Sequence, residues 1–252
     1  MRLQPPALGE VKICGLKPAA LAARAQKGRG LILGVAGGIG AGKSTVTAVL
    51  AKTGALVVDA DKIGHQLLES DGAVQREIAQ RFGPSVFVDG HISRPALAAT
   101  VFSQPQALAD LNAITHPRIR HCALAALEKV PAGQLAVYDA AILVEARMHD
   151  LVDALAVVTA PTQRRIELLG KHRGMNPEQA QARIDNQMPD AERAAYAQVV
   201  IYNYASKAAL ESAVEQWASQ LLAALAVAGD EEASTTASVL EPSGQQETDQ
   251  SR

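Results

Sequence analysis

The sequence predicts an α/β fold: a five-stranded parallel sheet flanked by helices, with a helical subdomain and a lid. Three observations predict it. Short, continuously apolar runs bounded by turn residues alternate with longer helical patterns. The runs lack the alternating polarity of a half-exposed strand, which suits a parallel sheet covered on both faces. Strand–helix–strand alternation in turn implies right-handed crossovers between layers.

Residues 1–30 carry six basic side chains (Arg2, Lys12, Lys17, Arg24, Lys27, Arg29) and one acid, Glu10. They contain no Ser and no apolar stretch of signal-peptide length, so neither a secretory nor a transit segment is expected. The stretch is read as a poorly ordered N-terminal extension. Leu31–Ala36 (LILGVA) is the first expected strand, with a helix near 43–53, and Ala55–Asp59 (ALVVD) is the second. Residues 60–133 are too long for one crossover helix and read as a helical subdomain above the sheet, with helices near 72–82 and 94–128. Leu135–Asp139 (LAVYD) and Ala154–Thr159 (ALAVVT) are the third and fourth strands. Residues 163–195, rich in Arg and Gln, are a candidate mobile lid with helices near 161–172 and 176–187. Val199–Tyr202 (VVIY) is the fifth strand, and a helix follows over 206–227. Residues 229–252 hold six acids and one Arg with few large apolar residues, the composition of an acidic disordered tail. The folded domain is therefore expected over 31–228.

Composition excludes several functions. Aromatic residues are only 3% of the 252, against a base-stacking platform, and the net charge of −2 offers no basic excess, so no nucleic-acid partner is expected. Two cysteines are too few for a disulfide framework or a zinc knuckle and fit a reducing, cytoplasmic setting. No apolar run reaches membrane-spanning length, so no membrane partner is expected either. A monomer or weak homo-oligomer is the expected state.

Gly37-Gly38-Ile39-Gly40-Ala41-Gly42-Lys43-Ser44, followed by Thr45, fits the phosphate-loop pattern G-x-x-x-x-G-K-[ST] between an expected strand and helix. Glycines let the backbone wrap a phosphate with N–H groups inward, and the helix N-terminus adds a field that favours anions. Gly38, Ile39, Gly40, Ala41, Gly42, Lys43, Ser44 and Thr45 are thus the expected ATP-binding residues. Lys43 bridges the terminal phosphates and the Ser44 hydroxyl holds Mg²⁺ in that arrangement. The guanine-reading tetrapeptide of a regulatory GTPase is absent, and the chain has no room for the accessory domains of a motor ATPase. A small-molecule kinase needs a phosphate loop, an acceptor pocket and an Arg-bearing lid that excludes water, and each has candidates here. Asp59 and Asp61 follow the second strand. Residues i and i+2 of a strand share one face, so both carboxylates can enter the cleft, one as a base toward an acceptor hydroxyl. The competing reading is a helix N-cap, because Asp61, directly before KIGHQLL, is a good cap. Arg173 is the leading lid arginine, ahead of Arg165 and Arg183. Asn203, at a strand end, is either a reader of the adenine edge or a turn-initiating Asn.

The motifs GVAGGIGAGKST, DADKIG, ISRPALAATVF, THPRI, AILVE, RIDNQ and VVIYN run in order across roughly 33–218. In this set the chain resembles the dephospho-coenzyme A kinase family. The resemblance implies a P-loop kinase core, a helical acceptor domain and a lid. It implies transfer of the ATP γ-phosphate to the ribose 3′-hydroxyl of dephospho-coenzyme A, with Asp61 as base and Asp59 beside it. It also aligns Arg94, His116 and Glu145 with acceptor-side positions. The chain departs from the family pattern at Ala141, at His65 where an Arg is common, at Tyr204, and in lid spacing, which leaves open whether Arg164 or Arg165 is the second lid arginine. Two rival readings stand beside it: another small-acceptor kinase, and a non-catalytic nucleotide-binding module.

Overall fold

The computed structural model describes residues 5–26, 28–102 and 104–239. In chain order the elements are β1 (Val11–Gly15), α1 (Pro18–Ala22), β2 (Leu31–Gly37), α2 (Lys43–Lys52), β3 (Leu56–Asp59), α3 (Ala60–Ser70) and α4 (Gly72–Phe82). A small hairpin of β4 (Phe87–Val88) and β5 (His91–Ile92) follows, then α5 (Arg94–Phe102) and α6 (Pro105–Leu127). The chain continues through β6 (Leu135–Asp139), β7 (Ala154–Thr159), α7 (Thr162–Arg173), α8 (Pro177–Asp185), α9 (Asp190–Ala194), β8 (Val199–Asn203) and α10 (Lys207–Val239).

The fold is α/β with a mostly parallel sheet, as the apolar runs predict, but the main sheet has six strands rather than five. Their order is β1-β8-β7-β2-β6-β3, parallel except for β1. The sixth strand comes from the segment expected to be a poorly ordered extension. β1 runs antiparallel to β8, with Val11 opposite Asn203 and Gly15 opposite Val199. The segment is fastened on both sides of this pairing. Gly9 donates to the Tyr204 carbonyl, and Leu16 to that of Gln198. The Arg29 guanidinium grips Asp153 at 2.7 and 2.8 Å, and Leu21 is fully buried. A short, half-buried edge strand with a lysine in it carries little apolar signal, so its order comes from pairing rather than from local pattern.

Two further boundaries differ from expectation. The stretch 94–128 is two helices, because Gln104 is extended and Pro105 occupies the first turn of α6. Helix α10 runs on through 229–239, the first part of the expected disordered tail; 240–252 lie outside the described residues. An Ala- and Glu-containing stretch extends a nucleated helix at little cost.

One apolar core lies between the sheet and helices α1, α2 and α10 (Leu21, Val46, Leu50, Leu210, Trp217, Leu221). A second lies on the other face (Ile32, Tyr138, Leu127, Leu143). The helical subdomain has its own cluster, built from Leu67, Val74, Ile78, Val86 and Leu97. Among the described residues no helix is long and apolar enough to cross a membrane. Register brings Asp59, Asp139 and Val35 side by side, and sets Gly37 beside Val158 and Thr159 beside Tyr202. The carboxyl ends of β2, β3, β6, β7 and β8 thus share one edge, where ligands of open parallel sheets bind.

Candidate active site

The loop 38–42 leaves the buried strand β2 and enters α2 at Lys43. Gly40 (φ +76°) and Gly42 (φ +104°) hold backbone angles that side chains disfavour. A Cβ on Gly42 would also stand 2.5 Å from the Asn203 amide nitrogen. Thr45 and Val46 N–H groups bond the Gly42 carbonyl, and a helix N-terminus that follows such a glycine loop is the physical basis of an anion site.

Three side chains from distant elements support this loop. Asn203, 3% exposed at the end of β8, donates its amide to the Ala41 carbonyl at 2.9 Å. That bond uses one of the two amide N–H groups, and the buried Asn203 Oδ1 has no hydrogen-bond partner among the described residues. Arg165, 5% exposed, donates Nε to the Ile39 carbonyl at 2.7 Å, and Gln187 Oε1 accepts from the Ile39 N–H at 2.7 Å. Burial holds the Arg165 pKa below the usual guanidinium value, against the opposing pull of the Asp190 carboxylate. Behind these lies a charged network. Asp190 accepts from Thr159 at 2.8 Å and from Arg193 at 2.9 Å, and it pairs with Arg165 at 3.4 Å. Arg193, fully buried, reaches Glu145 at 2.6 Å. Glu145 therefore meets a buried arginine here.

Lys43 forms an ion pair with Asp139 at the end of β6. Asp139 is the neighbour of Asp59 across the β3–β6 ladder, so the lysine and two carboxylates converge on one edge. The strand-alternation argument for Asp59 and Asp61 does not hold, because the strand stops at Asp59. Asp59, and not Asp61 as the cap reading had it, is the N-cap of α3, accepting from the Lys62 N–H at 3.0 Å, because the helix begins one residue earlier at Ala60 and leaves Asp61 exposed in its first turn. Its carboxylate lies near enough to Tyr138 to help raise that phenol. Burial is the main cause, and the pKa is pushed up to about 12.

On the acceptor side, Arg94 at the start of α5 meets His65 of α3 at 2.6 Å. Both line a cavity of about 660 Å³ walled by Leu68, Leu97, Ala98, Val101, Leu108 and Leu111. His116, half-buried in α6 beside Pro117, has its pKa pushed down by burial. Arg173 stands exposed in the last turn of α7 and Arg183 exposed in α8, neither at the loop. Of the two lid candidates next to each other, Arg165 is the one buried against the loop. Ser44 and Thr45 lie in the first turn of α2.

The arrangement can hold a polyphosphate, offset its charge with Lys43, and present carboxylates to an acceptor at the same edge. Sequence reasoning missed Asp139, Gln187, Asp190 and Arg193. An Asp ending a wholly apolar run was a usable signal for Asp139. The other three owe their positions to long-range packing.

The family model for dephospho-CoA kinase matches residues 31–209. A dephospho-CoA kinase of Thermobifida fusca (strain YX) is 38% identical over 189 residues, spanning 74% of this chain and 94% of the relative. One from Corynebacterium diphtheriae is 40% identical over 190 residues, 74% and 95%. Among solved structures, TT1252 from Thermus thermophilus matches with a TM-score of 0.65 and 31% identity over 76% of this chain and 97% of that one. Dephospho-CoA kinase from Campylobacter jejuni shares the fold, with a TM-score of 0.53 and 23% identity over 75% and 96%. Strand β1 lies outside the family match.

Proposed function

The chain belongs to the dephospho-CoA kinase family, and from that premise we propose how its side chains perform the reaction. It is an enzyme of coenzyme A biosynthesis that phosphorylates dephospho-CoA with ATP at an alcohol group, the ribose 3′-hydroxyl, giving coenzyme A and ADP.

The loop 38–45 binds the ATP phosphates, and Lys43 turns from Asp139 to the β- and γ-phosphates as nucleotide enters. Asp61 orients the 3′-hydroxyl and receives its proton as the oxygen attacks the γ-phosphorus, while the bond to the departing ADP breaks. Asp59 fixes the start of α3 and so aims Asp61. Arg173 closes from the end of α7, and the closed site excludes water. Arg165 and Asn203 keep the loop's shape. Arg94, His116 and Glu145 serve the acceptor side, with Glu145 held by its ion pair to Arg193. Among the described residues no three His, Cys, Asp or Glu side chains form a cation cage of their own. A Mg²⁺ arriving with the nucleotide would be held by the Ser44 hydroxyl. Such an ion, when bound, would offset charge on the transferring phosphates. Most of the acceleration comes from positioning and electrostatics. We place this work in the cytoplasm, by a monomer or weak homo-oligomer; two free cysteines accord with a reducing compartment.

The observation that carries this mechanism is the Lys43–Asp139 pair standing next to Asp59 across the ladder, with Asp61 two residues on. The test is ADP release coupled to dephospho-CoA, followed by phosphorus NMR of the product. Acceptor-dependent release with a new 3′-phosphomonoester is expected. Release without any acceptor, or preference for shikimate or a nucleoside monophosphate, would overturn it.

A further inference from the structure

Asn203 supports the phosphate loop from the last residue of β8, where its amide donates to the Ala41 carbonyl at 2.9 Å. The inner neighbour of β8 does not reach that far. The β7–β8 ladder ends with Thr159 opposite Tyr202, one residue short of Asn203. On the other side the β1–β8 ladder continues, and Val11 stands opposite Asn203. Tyr204, the next residue, has both backbone groups taken by the same segment. Its N–H donates to the Glu10 carbonyl at 3.1 Å, and its carbonyl accepts from the Gly9 N–H at 2.7 Å. Among the described residues β1 is therefore the only strand that pairs with Asn203. The contact at the loop is tight: a Cβ on Gly42 would stand 2.5 Å from the Asn203 amide nitrogen and 3.2 Å from Leu210. Close packing of this kind transmits displacement, so moving the end of β8 moves the loop.

A segment that positions another must itself be fixed. Leu21 of α1 is fully buried in the core shared with α2 and α10. Arg24 Nε donates to the Asp153 carbonyl, and Arg29 grips the Asp153 carboxylate, whose side chain is 3% exposed. That carboxylate also accepts from the Ile32 N–H at 2.8 Å, and Ile32 lies in β2, the strand that runs into the loop. The N-terminal segment thus holds both strands that lead to the phosphate site, β2 at its start and β8 at its end. It lies outside the family match over 31–209. We propose that this N-terminal arm, with β1 as its working part, is a positioning element for ATP: it fixes Asn203, through it the Ala41 carbonyl, and so raises nucleotide affinity. The proposal rests on the reading of loop 38–45 as the ATP site and adds a determinant of affinity from outside the family match. No contact with the nucleotide is required. A loop already held in its binding shape loses less freedom when the phosphates enter, and that saving appears as affinity.

Two experiments test it. Gly9→Pro removes the N–H given to Tyr204 and demands a φ of about −65° where the chain holds +95°. Nothing lies within 4 Å of a Cβ added at Gly9, so the change acts on this backbone contact, and Leu21 and Arg29 should keep the variant folded. The Kd for a non-hydrolysable ATP analogue should rise about fivefold or more in a calorimetric titration, with the KM for dephospho-CoA changed less than about twofold. An arm with only a structural role would lower the melting temperature and leave both constants in place. Coupling between two sites is reciprocal, so in the wild-type protein the saturating analogue should slow hydrogen exchange of the Gly9 and Tyr204 N–H groups by that same factor. Exchange unchanged at both amides would overturn the proposal even if Gly9→Pro fails to fold, and so would an unchanged Kd in a folded variant. A wild-type protein that does not bind the ATP analogue at all would instead sink the reading of the loop, which is a separate outcome.

Discussion

Replacing Arg193 by Met tests whether the phosphate loop is held from behind. The Arg193 side chain is fully buried and carries two ion pairs, 2.6 Å to Glu145 and 2.9 Å to Asp190. Removing one partner from a buried pair costs about 3–5 kcal/mol, because the remaining charge is left without compensation. Glu145 and Asp190 keep 24% and 19% side-chain exposure, so water recovers part of that loss and the lower end, about 3 kcal/mol, is expected. For a chain of this size each kcal/mol moves the melting midpoint by about 2–4 °C, giving a drop of roughly 6–12 °C in calorimetry. A second effect follows from the wiring. Asp190 also holds Thr159 and Arg165, and Arg165 holds the Ile39 carbonyl. An Asp190 released from Arg193 draws Arg165 off the loop, so the KM for ATP should rise several-fold with a smaller change in kcat. A double-mutant cycle with Glu145→Gln should give a coupling of about 0.5–3 kcal/mol. A melting shift under 2 °C with no change in the KM for ATP would refute the reasoning.

Three other perturbations follow. Asp61→Asn should reduce kcat about 10²–10⁴-fold while ATP still binds in a calorimetric titration; near-normal turnover would remove Asp61 as the base. Gly42→Ala sets a side chain at φ +104° with its Cβ 2.5 Å from the Asn203 amide, so a loss of about 1–3 kcal/mol and of ATP binding is expected, measured by thermal melts with and without nucleotide. Burial pushes the His116 pKa below its ordinary 6.5, so as pH falls from about 6.5 the unfolded chain takes up a proton before the folded one does. Stability is therefore undiminished above that pH and declines below it until the folded-state pKa is passed, and His116→Gln should flatten the slope seen in urea titrations between pH 7 and 5.

The buried strands were legible because a parallel sheet covered on both faces leaves five unbroken apolar runs, and the loop was legible because its glycines, lysine and serine are adjacent in sequence. Strand β1 was not, since VKICG is an edge strand whose order depends on partners nearly 190 residues away. The carboxylate pair was found by an argument that the structure replaces: Asp59 caps a helix, so Asp61 owes its direction to the first turn of α3 and not to strand alternation. Arg193 shows the limit most clearly. In sequence it is one of many basic residues in an Arg-rich stretch, and nothing local tells a solvated arginine from one wholly enclosed by two carboxylates. Arg165 and Gln187 share that obscurity, because their partner is the backbone of Ile39 and backbone atoms leave no trace in composition.

These contacts also divide the segment expected to act as a lid over 163–195. At one end Arg165 is bound to the loop; at the other Gln187, Asp190 and Arg193 are bound to the loop, to Thr159 and to Glu145. Moving either end breaks hydrogen bonds or ion pairs that support the phosphate loop. Between them the C-terminal half of α7, the turn at Gly174 (φ +64°) and α8 carry few buried side chains, Leu169 and Ala180 among them, and include the exposed Arg173 and Arg183. Cooperative opening follows the distribution of buried contacts, so hydrogen exchange is expected to be fastest over about 170–186. The buried contacts sit at the two ends of this Arg-rich segment, and the exposed side chains, Arg173 and Arg183 among them, lie in its middle. A single stretch of uniform composition thus divides into buried and exposed parts that composition alone does not separate.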